Sequence, residues 1–219
     1  MQLLNAKTII ARRVALELKH GDVVNLGIGL PTLVANHLPQ EISVILHSEN
    51  GFVGLGPVDG PIDLNLVNAG GQPSGLIPGA AIFDSAMSFA LIRGGHIDVT
   101  VLGGLQVDVE GNLANWMVPG KMVPGMGGAM DLVVGANKVI VAMEHCAKDG
   151  SAKIINKCTL PLTGKGVVTM IVTELGVFTI GKGSMVLEEI TEGVAVETIQ
   201  MKTEAKFTVS SDLRPMLDF

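Results

Sequence analysis

Residues 23–38 read VVNLGIGLPTLVANHL, an apolar run followed by a glycine-containing turn and a second apolar segment that begins with proline. The β-branched run at 23–26 is typical of a buried strand, and Pro31 suits the first turn of a helix. Further strand-like runs occupy 42–46, 98–103 and 138–143, and a second helical pattern lies at 84–95. Buried strands joined by helices predict an α/β fold on an open, largely parallel sheet.

The two ends of the chain depart from this alternation. Residues 1–22 predict an amphipathic helix that ends at Gly21. Residues 167–190 contain alternating β-rich runs separated by glycine turns, which predicts antiparallel strands at a sheet edge. The following segment, 194–207, has a helical pattern. No repeat or low-complexity linker divides the sequence, so we expect residues 1–219 to form one domain.

Charge and composition exclude several classes of protein. The chain has a net charge of −6, with 15 Lys plus Arg, and so lacks a basic face that could bind the phosphates of nucleic acid. Its six Phe, one Trp and no Tyr offer few aromatic rings on which bases could stack. No apolar run approaches the roughly 18 to 20 residues that cross a bilayer, so we expect no membrane segment. Only 16% of residues are charged, which leaves apolar surface available for a protein partner.

The cysteines indicate a reducing environment. Cys146 and Cys158 are too few for a disulfide framework, which favours a cytoplasmic location. Glu144, His145 and Cys146 are contiguous, but neighbouring residues on a strand point to opposite faces, whereas metal ligands must converge. We therefore expect no metal site there.

The stretch ILHSENGFVGLGP at 45–57 places a carboxylate at the end of a strand, because a buried run leads directly into Glu49-Asn50-Gly51. The carboxyl ends of strands in open α/β sheets border the ligand crevice, and Asn-Gly favours a sharp turn. Glu49 is thus a candidate for a rigidly mounted catalytic group. A solvated Glu in a surface turn is the alternative that local spacing leaves open.

Two glycine-rich stretches could approach a ligand closely. NLGIGLPT at 25–32 combines a strand, a turn and a helix start, an arrangement that suits an anion or an acyl oxygen, although it is neither a dinucleotide fingerprint nor a P-loop. Residues 103–136 carry eight glycines. Within them, Lys121 offers a charge for a phosphate or a solvated surface position, and Trp116 offers core packing or a stacking face.

Six blocks of the sequence resemble the β subunit of family I CoA-transferases, of the acetate or butyrate–acetoacetate type. They are GDVVNLGIGLPT (21–32), SENG (48–51), LVNAGGQPSGLIPGA (66–80), SFALIRGGH (88–96), GNLANWMVPGKMVPGMGGAMDL (111–132) and MEHCAKDGSAKI (143–154). The resemblance implies a three-layer α/β/α sheet with an antiparallel C-terminal part. It also implies exchange of CoA between acyl-CoA and short-chain acids such as acetoacetate, acetate and butyrate.

The resemblance assigns roles to particular residues. Glu49 matches the glutamate that forms an acyl anhydride and then a glutamyl-CoA thioester in a ping-pong reaction, with coenzyme A as a substrate and no metal or other cofactor. Gly128 matches a donor to the oxyanion. Gly27 and Gly29 match the CoA and oxyanion environment, with Asn50 as a supporting neighbour.

The resemblance also implies a partner, because the family's α subunit carries a glycine-rich motif that this chain lacks. We therefore expect an α subunit in an α2β2 heterotetramer, with the active site near the contact between subunits. Succinyl-dependent relatives tend to place a lysine where this sequence has Gly71, which favours monocarboxylate substrates here. The alternatives are succinyl-CoA:3-oxoacid or 3-oxoadipate transfer, thioester hydrolysis, and a non-catalytic α/β binding module.

Overall fold

The computed structural model describes residues 5–120, 125–181 and 184–217, and it contains a ten-stranded mixed sheet and a smaller three-stranded sheet. The helices are α1 (Ala6–Ala15), α2 (Ser85–Arg93), α3 (Ala129–Gly135) and α4 (Val196–Lys202), with a 3₁₀ helix at Leu30–His37. The strands are β1 (Val23–Leu26), β2 (Ile45–Ser48), β3 (Phe52–Gly56), β4 (Gly75–Ile82), β5 (Val99–Leu102), β6 (Gln106–Asp108), β7 (Leu113–Ala114), β8 (Lys138–Ala142), β9 (Ile154–Ile155), β10 (Met170–Val172), β11 (Gly176–Gly181), β12 (Ser184–Ile190) and β13 (Thr208–Pro215).

The large sheet has the order β13-β12-β11-β10-β8-β5-β1-β2-β3-β4. Its centre, from β10 to β2, is parallel throughout, which confirms the expected largely parallel α/β sheet. Strand β11 runs antiparallel to both of its neighbours, β10 and β12. This pairing confirms the antiparallel strands predicted within residues 167–190. The opposite edge is also antiparallel, because β2, β3 and β4 form a meander that the sequence analysis did not predict.

Helices cover both faces of this sheet and confirm the three layers. On one face, Ile10 and Val14 of α1 pack on strand residues that include Val24 and Ile140. On the other face, α2, α3 and α4 pack through buried residues such as Ile92, Leu132 and Ile199. The two cores remain separate because successive side chains of each strand point to opposite faces.

Several boundaries differ from those predicted. Helix α1 ends at Ala15 rather than at Gly21, because the amide of Leu16 bonds back three residues to Arg13 and the chain then turns. Residues 30–37 form a 3₁₀ helix rather than an α-helix. Strand β2 begins at 45 instead of 42, where pairing with β1 starts. Residues 208–215 add the unpredicted strand β13. The expectation of one domain over 1–219 stays a prediction.

None of the helices in the described ranges has the length and apolar character needed to cross a lipid bilayer.

Candidate active site

A row of polar side chains crosses three parallel strands in the middle of the sheet. Asn25 of β1 lies in register with His47 of β2 on one side and with Thr100 of β5 on the other. All three residues are buried, and the exposed fraction of Asn25 is 1%. Buried polar groups need hydrogen-bond partners; the Asn25 Nδ2 and the His47 ring have them, whereas Thr100 Oγ1 has none among the described residues.

Glu49 follows β2 directly and lies in the turn that joins β2 to β3. The turn is closed by Gly51, whose N–H donates to the Ser48 carbonyl at 3.0 Å. Gly51 has φ +136°, and a Cβ at this position would lie 2.2 Å from the carbonyl oxygen of Phe83. Only glycine fits there, which holds the turn against the end of β4 and mounts Glu49 at the carboxyl end of a central strand, as the sequence predicts.

Two other residues lie close to the Glu49 side chain. From β1, Asn25 Nδ2 donates to Glu49 Oε2 at 3.3 Å. Gly128 also approaches the side chain closely, because a Cβ on Gly128 would lie 3.0 Å from Glu49 Cγ and 3.3 Å from Cδ. The carboxylate therefore has an amide donor and a glycine as close neighbours.

A buried hydrogen-bond chain continues behind Asn25. Asn25 Nδ2 is 3.3 Å from His47 Nδ1, His47 Nε2 is 2.9 Å from Ser88 Oγ, and the Ser88 hydroxyl donates to the Ser48 carbonyl at 3.3 Å. Burial lowers the pKa of His47 to about 4, so its ring is neutral near pH 7. The network thus links helix α2 to the carboxylate through uncharged groups.

Glu49 faces a cavity of about 1090 Å³, which is large enough for a ligand of the size of a cofactor. Its walls combine apolar side chains with backbone and amide groups from the ends of β1, β2 and β5. Lining residues of the cavity include Asn25, Gly27, Ile28, Asn68, Gly70, Leu102, Gly103, Trp116, Met126 and Gly127.

The two predicted turn glycines differ in position. Gly27 lines the cavity, its N–H donates to the Val101 carbonyl at 2.8 Å, and a Cβ there would lie 3.1 Å from Leu102 Cδ2. Gly27 therefore allows β1 and β5 to pack closely, and its amide is engaged within the sheet. Gly29 has φ +87° and begins the 3₁₀ helix, where its carbonyl accepts from Thr32. The predicted place of both glycines in the CoA and oxyanion environment stays a prediction.

Asn50 stabilises the turn that carries Glu49. Its Nδ2 donates to the Val67 carbonyl at 2.7 Å, and its Oδ1 accepts from Ser48 Oγ at 2.5 Å. The same Ser48 hydroxyl accepts from the amide of Ala69 at 3.0 Å. Asn50 thereby ties the Glu49 turn to the loop that carries Asn68, which forms part of the cavity wall.

The remaining candidates have structural surroundings. Trp116 lines the cavity and donates its Nε1–H to the Leu162 carbonyl at 3.4 Å, so the ring is packed and also borders the ligand space. Lys121 lies outside the described residues. His145 is buried between the hydroxyls of Thr173 and Thr203, at 3.0 and 2.9 Å from its ring nitrogens, which leaves both nitrogens occupied.

Neither cysteine forms a disulfide in the structure. Burial, with the nearby Asp108 carboxylate, raises the pKa of the Cys158 thiol to about 12, so this thiol is a poor nucleophile. Across 5–120, 125–181 and 184–217, no three His, Cys, Asp or Glu side chains gather closely enough to hold a metal ion.

Sequence reasoning missed Asn25, His47 and Ser88. A signal was available, since Asn25 interrupts the apolar run VVNL and His47 interrupts ILHS. A polar residue in a buried strand has to find a partner, and here the partners come from two other elements of the fold.

Comparisons with known proteins agree in sequence and in fold. A model of the family described as Coenzyme A transferase matches residues 7–202. The beta subunit of the acetate CoA-transferase of Escherichia coli (strain K12) is 68% identical over 210 residues, covering 96% of this chain and 97% of that protein. The succinyl-CoA:3-ketoacid coenzyme A transferase of Helicobacter pylori has a subunit that is 54% identical over 202 residues, covering 91% of this chain and 97% of that protein.

Two solved structures share the fold. The acyl-CoA transferase YdiF of Escherichia coli O157:H7 superposes with a TM-score of 0.78 at 24% identity, covering all of this chain, which spans 44% of the length of YdiF. Glutaconate coenzyme A-transferase from Acidaminococcus fermentans superposes with a TM-score of 0.71 at 20% identity, covering 99% of this chain and 90% of the other. At these identities the likeness concerns the fold.

Proposed function

This chain belongs to the coenzyme A transferase family as a β subunit, and we propose that Glu49 is the covalent nucleophile that moves CoA between a short-chain acyl-CoA and a free carboxylic acid. The observation that carries the proposal is the position of the Glu49 carboxylate. It lies at the carboxyl end of a central strand, faces the large cavity and is oriented by Asn25.

The proposed reaction has two symmetric halves. A Glu49 carboxylate oxygen attacks the carbonyl carbon of the acyl-CoA to give a tetrahedral intermediate. The C–S bond of this intermediate breaks, which releases CoA thiolate and leaves an acyl-glutamyl anhydride. The thiolate then attacks the glutamyl carbonyl carbon, which releases the free acid and leaves a glutamyl-CoA thioester. An incoming acid reverses these steps and departs as the new acyl-CoA, which regenerates the carboxylate. Covalent storage keeps the thioester's free energy from being lost to water.

Gly128 is the residue that we assign to the oxyanion in this scheme. A Cβ on Gly128 would lie 3.3 Å from Glu49 Cδ, the carbon that becomes tetrahedral when thiolate attacks the glutamyl group, so the glycine leaves room beside this carbon. A backbone donor that faces a developing oxyanion stabilises an acyl-transfer transition state by about 3 to 4 kcal/mol. The scheme uses no metal ion or other cofactor, because coenzyme A enters and leaves as a substrate.

We assign monocarboxylates such as acetate, butyrate and acetoacetate as the acids. The name of the 68% identical Escherichia coli protein supports this choice. Gly71 also supports it, because the residue adopts φ +74° between the cavity-lining residues Gly70 and Gln72 and brings no cation that could select a second carboxylate. The succinyl-CoA-dependent activity named for the 54% identical protein is the second candidate, and comparing succinate with acetate as acceptor separates the two.

The proposal includes an α subunit in an α2β2 complex located in the cytoplasm. The subunit names of the relatives support a partner, and the two free cysteines fit a reducing compartment. The mouth of the cavity also exposes apolar surface, since Ile28 lines the cavity while 72% of its surface is exposed. Such surface suits a permanent protein contact.

Intact mass of this chain, purified with its α subunit, tests the proposal. Incubation with acetoacetyl-CoA and no acceptor acid should produce a CoA-sized adduct that maps to Glu49. The adduct should be absent in Glu49→Ala and should form normally in the matched control Glu41→Ala, which alters an exposed glutamate. CoA exchange without any adduct would contradict the covalent mechanism, and rapid CoA release without an acceptor would indicate a hydrolase.

A further inference from the structure

We propose that His47 is a positioning residue for the transfer reaction, because its neutral ring accepts an N–H from Asn25 and so fixes the amide that orients Glu49. This inference rests on the proposed role of Glu49. It assigns a function to a buried side chain that does not touch the substrate, and it explains why a central strand carries a histidine next to an asparagine of the neighbouring strand.

Three acceptors surround the Asn25 Nδ2, which has two N–H groups to share among them, and no donor from the described residues reaches the Asn25 Oδ1. Its Nδ2 lies 3.3 Å from each of His47 Nδ1, the His47 carbonyl oxygen and Glu49 Oε2. Its Oδ1 is buried without a hydrogen-bond partner among the described residues. The reversed amide would turn this oxygen toward the Glu49 carboxylate and remove the donor, so the reaction requires a device that holds the observed orientation.

His47 can serve as this device only with its proton on Nε2. Ser88 sets that tautomer, because the Ser88 hydroxyl donates to the Ser48 carbonyl and its lone pairs remain for the Nε2–H at 2.9 Å. The Nδ1 lone pair then faces Asn25. A protonated ring would donate from both nitrogens and would repel the Asn25 N–H, and the burial that lowers the pKa of His47 to about 4 keeps the acceptor available.

Two substitutions of His47 separate positioning from packing. In His47→Asn, the side-chain oxygen can occupy the place of Nδ1 and accept from Asn25, whereas the contact with Ser88 is lost. In His47→Gln, the longer side chain can reach Ser88, whereas no acceptor remains at Nδ1. The assay uses the complex with the α subunit and measures kcat and KM for acyl-CoA exchange, together with the melting temperature of each complex.

We expect His47→Gln to lower kcat about tenfold or more with little change in KM, and His47→Asn to stay within about threefold of the parent. In an Asn25→Ala background, His47→Gln should change kcat less than about twofold, because the residue acts through Asn25. Additive effects in this background, or equal losses in both His47 variants at matched melting temperature, would overturn the proposal.

Ser88→Ala provides the test if the His47 variants do not fold. This substitution removes the acceptor that holds the proton on His47 Nε2, so the ring can adopt either tautomer. We expect kcat to fall about threefold without a change in KM, and an unchanged kcat would contradict the inference.

The adduct assay separates this inference from the proposed function. If the parent complex forms no adduct at Glu49, the proposed function fails. If parent and His47→Gln complexes form it equally fast, only the role of His47 fails.

Discussion

Asn25 and Glu49 stand 24 positions apart in the sequence, yet the Asn25 amide donates to the Glu49 carboxylate at 3.3 Å because β1 and β2 are parallel neighbours. The contact engages one carboxylate oxygen. Gly128 is also close to the Glu49 side chain, since a Cβ on Gly128 would lie 3.0 Å from Glu49 Cγ.

Replacing Asn25 with aspartate tests this contact with a side chain of the same shape. Asn25→Asp removes the N–H donor and places a second carboxylate beside Glu49, so we expect kcat for CoA exchange to fall about 10- to 100-fold. Asn156→Asp is the control, because it adds the same charge at an exposed position. Initial rates of the two variant complexes make the comparison, and equal rates would mean that Asn25 does not orient the nucleophile.

Gly128→Ala should disturb the site without disturbing the fold. The backbone of Gly128 has φ −81°, which alanine adopts readily, but the added Cβ would lie 3.0 Å from Glu49 Cγ. We expect the Glu49 side chain to shift and kcat to fall about tenfold or more, since misplacement by about 1 Å can cost 100-fold in rate. Gly181→Ala is the control because a Cβ there meets open space. A fully active Gly128→Ala complex would refute this packing argument.

Gly135→Ala should lower stability through the contact between α2 and α3. A Cβ on Gly135 would lie 2.2 Å from the carbonyl oxygen of Ile92, so the two helices would have to separate. Overpacking of this kind costs about 1 to 3 kcal/mol. Urea denaturation should therefore give a lower free energy of unfolding than in the parent chain. The Gly181→Ala variant should match the parent, and equal midpoints for all three proteins would show that the helices accommodate the methyl group.

The free energy of unfolding should decrease as the pH falls from about 6.5 toward 4. Burial, together with the positive charges of Lys202 and Lys153, lowers the pKa of His145 to about 4. The unfolded chain therefore binds a proton in this range while the folded chain does not, which favours unfolding. His145→Gln removes this difference and should reduce the loss of stability between pH 7 and pH 5 by about 2 kcal/mol.

Denaturation curves at several pH values measure this effect. The control is His96→Gln, which makes the same substitution at an exposed histidine. His47, which is also buried with a pKa of about 4, should preserve part of the slope in the His145 variant. An identical pH dependence in the parent and His145→Gln proteins would contradict the prediction.

Local patterns were sufficient for the centre of the fold and insufficient at its edges. The apolar runs at 23–26, 98–103 and 138–143 contain β1, β5 and β8, because strands buried on both faces leave a continuous apolar pattern. Strand β4 has mostly exposed side chains, and its residues GLIPGAAI include a proline and two glycines, so its pattern resembles that of a loop. Its pairing with β3, rather than its composition, makes it a strand.

The sequence by itself determined the α/β class, the family and the placement of Glu49 at the end of a strand, because periodicity and motifs are properties of consecutive residues. Only the tertiary structure decided that Asn25 and His47 are neighbours, that Ser88 reaches His47 from helix α2, and that Gly128 lies close to Glu49. These contacts depend on strand register and helix packing, which arise when distant segments bury their apolar faces together.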